Sequence, residues 1–85
     1  MSQKLRLEIV TPEKPVSSEE VDEVTIPGLE GEFGVFPEHT TFLTQLGEGV
    51  LAYRRGNQTT TLQITGGFCE VRENRVTVLA DLIKS

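Results

Sequence analysis

Apolar residues along this chain recur at every second position. Leu5, Leu7 and Ile9 alternate with Lys4, Arg6 and Glu8, as in a strand with one face buried and the other in solvent. Two prolines in residues 11–15 break the pattern. Residues 21–26 resume it with Val24 and Ile26 on one face, and Pro27-Gly28 ends it ahead of another turn-rich stretch. The acidic stretch from Glu19-Glu20 to Glu23 reads as a solvated loop leading into that strand.

Residues 50–55 and 59–64 are strand-like runs joined by Gly56-Asn57-Gln58, which predicts a hairpin, and three consecutive threonines suit a pleated surface better than a helix. Residues 68–72 and 76–80 predict a second hairpin around Glu73-Asn74-Arg75. Cys69 and Val71 would oppose Val76, Val78 and Ala80 on its core face. No amphipathic helical period occurs anywhere. Short strands separated by turn signals every 8 to 12 residues or so indicate an all-β sandwich, expected to be a single domain over residues 1–85.

Composition narrows the partners. A net charge of −5 and a pI near 4.8 repel phosphate backbones, and the only adjacent basic pair is Arg54-Arg55, so nucleic acid is excluded as an expected partner. The apolar runs fall far short of the roughly 20 residues that cross a bilayer, and the N-terminus lacks a signal-peptide core. A soluble, unprocessed chain without direct membrane insertion is therefore expected. Cys69 is the single cysteine, which rules out an intramolecular disulfide and favours a reducing setting. Asn57-Gln58-Thr59 matches a glycosylation sequon, but it falls in the hairpin turn and is read as a turn.

Candidate chemistry is sparse. His39 and Cys69 are the only thiol–imidazole combination, but strand phase points Cys69 inward, where burial raises the thiol pKa and leaves it inert. One Cys and one His do not make a zinc site. Glu30 and Glu32 resemble paired acid–base carboxylates, yet nothing nearby would raise a pKa or exclude water. Gly28, Gly31 and Gly34 lack the following helix and lysine of a phosphate cradle. They suit tight turns and close approach to another surface instead. No catalytic residue, metal or cofactor is expected.

The run Pro27-Gly28-Leu29-Glu30-Gly31-Glu32-Phe33-Gly34-Val35-Phe36-Pro37-Glu38-His39 resembles the signature of the epsilon subunit of F-type ATP synthases. Leu7-Glu8-Ile9-Val10-Thr11-Pro12, Gly66-Gly67-Phe68, Glu70-Val71 and Val76-Thr77-Val78-Leu79-Ala80-Asp81 follow in family order. Two positions depart from the pattern: Glu38 stands where the family commonly has Gly, and Thr40-Thr41 replaces a common Ala-Pro.

The resemblance implies a flattened sandwich of about ten short strands in the central stalk, at the cytoplasmic face of the bacterial inner membrane. It would be a non-catalytic part of a heteromeric complex, binding the gamma subunit and the c-ring and coupling ion flow to ATP synthesis. A closely packed sandwich has the stiffness such a coupling needs. By position, Gly28, Leu29, Glu30, Gly31, Glu32 and Phe33 would meet the c-ring, and His39 and Thr44 would face gamma. Many relatives continue into a helical hairpin, which is expected to be missing from a chain that stops four residues after Asp81. The alternatives are a free-standing adaptor sandwich with another partner, or a small hydrolase using His39.

Overall fold

A computed structural model describes residues 4–84; residues 1–3 and Ser85, which the one-domain reading of 1–85 includes, lie outside the described residues. The described chain forms eight strands and no helix. They are β1 (Leu5–Val10), β2 (Pro15–Val21), β3 (Glu23–Gly28), β4 (Gly31–Val35), β5 (Phe42–Gln45), β6 (Glu48–Arg55), β7 (Gln58–Arg72) and β8 (Arg75–Lys84).

Hydrogen bonding runs in the order β2-β1-β8-β7-β6-β3-β4, with β5 also on β7. All pairs are antiparallel except β1 with β8. The first half of β7 pairs with β6 (Gln58 to Thr65), whereas its second half pairs with β5 (Phe68 to Val71). β8 follows β7 through both halves.

The two layers meet at a bend in these long strands. On β7 the inward residues are Ile64 before the bend and Cys69 and Val71 after it; on β8 they are Val76, Val78 and Ala80, and then Ile83. Side chains on a strand alternate strictly, so a change from even to odd positions requires an irregular backbone. Gly66 and Gly67 supply it with φ of 68° and 114°. A Cβ on Gly67 would lie 1.9 Å from the Leu79 carbonyl oxygen, so only glycine lets β8 pass this close.

One layer thus holds β2, β1, β5 and the adjoining halves of β8 and β7, and the other holds β4, β3, β6 and the remaining halves. Counted by layer, the eight strands make ten segments, as expected of the sandwich. Leu5, Leu7 and Ile9 of one layer and Val24, Ile26 and Leu51 of the other belong to one buried cluster. The alternation read on β1, and the opposition of Cys69 and Val71 to Val78 and Val76, appear as expected.

Three local readings change. The acidic stretch is not a solvated loop: Glu19 and Glu20 lie on β2, paired with Leu7 and Arg6. An edge strand tolerates charges because one of its sides is open to water, and that masks its alternation. Residues 21–26 are not one run, because Val21 closes β2 and Asp22 turns the chain into β3 in the other layer. The turn-rich stretch after Gly28 contains β4 and β5.

Candidate functional site

Pro27 and Gly28 end β3 opposite Glu32 and Gly31 of β4, leaving Leu29-Glu30 as a two-residue turn. The tip is pinned by residues 45–47. Leu29 N–H donates to the Gln45 carbonyl at 2.9 Å, Gly47 N–H donates to the Pro27 carbonyl at 2.9 Å, and Gly28 bridges Leu46. This brings Leu43, Thr44 and Gln45 alongside the hairpin, and a shallow groove runs between them and residues 28–33.

The groove combines exposed leucines with two glutamates. Leu29 is 59% exposed and Leu43 68% exposed. Glu30 and Glu32 are exposed, with no ion pair among the described residues. Such a surface offers apolar contact with unneutralised carboxylates beside it, which favours a partner carrying basic groups.

Phe33 leads from the hairpin to His39. Its ring packs edge-on against Phe42 (centroids 5.2 Å apart, 66° between planes), and Phe42 lies 4.9 Å from the His39 ring. His39 Nδ1 donates to the Thr40 carbonyl at 2.8 Å, and His39 N–H donates to the Phe36 carbonyl at 3.2 Å. His39 is therefore held in a turn by main-chain oxygens. Thr44 stands on β5 opposite Cys69 and lines the hairpin groove. Ring contacts through Phe33 and Phe42 join the hairpin to His39, and the groove joins it to Thr44.

Cys69 is fully buried, and burial first, then the neighbouring Glu70 charge, pushes its thiol up to about 12. A thiol held so far above neutral pH supplies no thiolate for catalysis. Glu38 adopts the left-handed φ of 69°, the conformation a glycine takes without strain, and its N–H donates to Asn74 Oδ1 at 2.5 Å. The departure from Gly thus keeps the loop's shape.

Sequence reasoning passed over Phe42, Leu43 and Gln45. The signal was the half-buried, exposed alternation of residues 42–45, too short to separate from a loop. It also passed over Tyr53, whose buried ring sends its hydroxyl to Glu19 Oε2 at 2.7 Å, while Arg55 meets Glu19 Oε1 at 2.7 Å. These contacts tie β2 to β6 across the two layers. Asp22 accepts from Lys4 and from Gly56 N–H, and Arg54 Nε meets Glu23 at 2.7 Å.

The family model for the β-sandwich domain of the ATP synthase delta/epsilon chain matches residues 4–85. An ATP synthase epsilon chain of Maridesulfovibrio salexigens is 51% identical over 96% of this chain and 58% of its own length. That of Syntrophobacter fumaroxidans is 54% identical over 94% and 60%. This chain therefore spans about 60% of the length of these curated relatives. A chain in the structure of the Euglena gracilis mitochondrial ATP synthase, comprising OSCP, F1 and the c-ring, superposes with a TM-score of 0.89. It is 26% identical, over 95% of this chain and 52% of that one.

Proposed function

This chain belongs to the ATP synthase delta/epsilon β-sandwich family, and from that membership we propose that it serves as a non-catalytic piece of a rotary ATP synthase's central stalk. The observation that carries the reading is the joint match of sequence and fold over nearly the whole chain. In this role the chain acts as one sandwich unit at the cytoplasmic face of a bacterial inner membrane, within a heteromeric complex. Its contribution to ATP synthesis is mechanical: it couples ion flow to rotation by holding two partners in fixed relation.

The β3–β4 hairpin, residues Gly28 to Phe33, meets the c-ring through Leu29 and the Glu30 and Glu32 carboxylates. The loop at His39, with Thr44, faces gamma. The Phe33–Phe42–His39 aromatic contacts link the two contact regions by direct packing. Exposed carboxylates on a tight hairpin set orientation and partner choice more than raw affinity.

Co-purification tests the reading. The tagged chain, expressed with the other subunits, should bring down gamma and c subunits in a single complex. Retrieval of neither would replace the stalk reading with that of an adaptor for another partner.

A further inference from the structure

The loop of residues 36–41 carries His39 but draws little support from the core. Phe36, Glu38, Thr40 and Thr41 are exposed, and a segment with so few buried contacts opens readily unless something else holds it. Two of its hydrogen bonds are local: His39 N–H donates to the Phe36 carbonyl and His39 Nδ1 to the Thr40 carbonyl. Local bonds close a turn without fixing where the turn sits on the sandwich. The tilted contact between the His39 and Phe42 rings still leaves the loop free to slide.

A bond from another element fixes its seat. Glu38 N–H donates to Asn74 Oδ1 at 2.5 Å, across 36 positions of sequence. Asn74 lies in the two-residue turn between β7 and β8, where Glu73 and Asn74 hold φ of 51° and 61°, as a tight hairpin turn requires. Its main-chain carbonyl accepts Arg6 N–H at 2.8 Å, so the anchor belongs to the ladder of β1, β8 and β7. The fold thus uses the Asn74 main chain, while its side-chain oxygen reaches the His39 loop. A non-glycine residue keeps a left-handed backbone where its surroundings hold it there, and the Asn74 bond is such a constraint on Glu38, whose φ is 69°.

We propose that Asn74 is a positioning residue for the gamma contact: its side-chain oxygen seats loop 36–41 and thereby sets how His39 is presented. The inference rests on the stalk reading, in which His39 faces gamma. Asn74 acts through Glu38 and the loop. A loop already held in its bound shape loses less freedom when the partner arrives, so the bond strengthens binding by preorganisation.

The test separates the side chain from the main chain. Asn74→Gly adopts the left-handed backbone without strain and keeps the carbonyl for Arg6, but lacks the side-chain acceptor. Asn74→Asp keeps an oxygen in its place. In amide hydrogen exchange of the full chain, Asn74→Gly should speed Glu38 N–H at least about fivefold and leave Arg6 N–H at the parent rate. Calorimetric titration with the purified gamma subunit should give Asn74→Gly a Kd at least about fivefold weaker than the parent's. Asn74→Asp should restore both readouts, in salt of about 0.15 M that screens its added charge from Glu38 and Glu73. An unchanged Glu38 rate would overturn the positioning role, because the bond then holds nothing. Equal acceleration at Arg6 would overturn it too, because the turn itself has then loosened. So would a parent-like Kd with Glu38 N–H released, and that result leaves the stalk reading intact. If the parent chain itself does not bind gamma, the stalk reading fails.

Discussion

The Glu38 main-chain N–H donates to the Asn74 side-chain oxygen at 2.5 Å, and both residues hold left-handed backbones, φ 69° and 61°. Asn74 also accepts Arg6 N–H on its own carbonyl at 2.8 Å. One turn residue thereby fastens the β7–β8 turn, the start of β1 and the loop that carries His39. Asparagine tolerates the left-handed region well, but a glutamate there is strained.

Glu38→Gly should therefore stabilise the domain by about 1 kcal/mol, relief of the left-handed strain outweighing the added freedom of the unfolded chain. Asn74→Ala should destabilise it by about 1 to 2 kcal/mol, through strain and the lost acceptor. Urea titration of both variants checks the pair; a Glu38→Gly midpoint below that of the parent would refute the strain.

Gly67→Ala should cost about 3 kcal/mol or more, or abolish folding, because the new methyl group would meet a backbone carbonyl that cannot move without opening the β7–β8 ladder. Gly34→Ala, where the nearest atom to an added Cβ is the Phe36 ring at 3.5 Å, should stay within about 0.5 kcal/mol of the parent. Thermal unfolding of the two variants side by side measures the contrast.

The Tyr53 hydroxyl, ahead of Ser17 and Arg55, holds the Glu19 carboxyl below its ordinary 4.5, and Lys4, ahead of Gly56 N–H, holds Asp22 below 3.8. A carboxyl whose pKa is lower in the folded state contributes stability that is present above its unfolded value and lost as pH falls through the folded one. The urea midpoint should fall as pH drops from about 6 to about 3, and Tyr53→Phe should shrink that fall. An unchanged fall in Tyr53→Phe would remove Glu19 from the acid response.

Glu32→Lys should leave the isolated domain folded, since Glu32 is exposed and has no ion pair among the described residues, and should weaken retention in the complex at low ionic strength. The loss should shrink in salt, because exposed charges are screened within about 10 Å at 0.1 M. Gln58→Lys, at the far β6–β7 turn, is the control. Normal assembly of Glu32→Lys at low salt would move the proposed c-ring contact away from this hairpin.

How much of this was legible depended on how strongly each strand is buried on one face. Leu5, Leu7 and Ile9 on β1, and Val76, Val78 and Ala80 on β8, alternate cleanly because they line the core. β2 hides its register because Ser17, Glu19 and Val21 point toward the core while only Val21 is fully buried. The break expected at residues 65–67 is a bend within one strand, since two glycines can end a strand or turn its faces over, and sequence does not separate the two outcomes. The hairpin residues could be read off their signature. Their meeting with Phe42 and Thr44 could not, because it arises from long-range pairing of β5 with β7.

Because β7 and β8 pass through both layers as one paired ribbon, the hairpin tip on one layer and β1 on the other share a continuous main-chain ladder. A sideways push on Leu29 travels through β3, β6 and β7 along hydrogen bonds. It need not cross the apolar seam, where side chains could slide past one another. The domain therefore resists shear along its backbone and twists as a single piece, with Gly66 and Gly67 as the crease that sets the angle between its two layers.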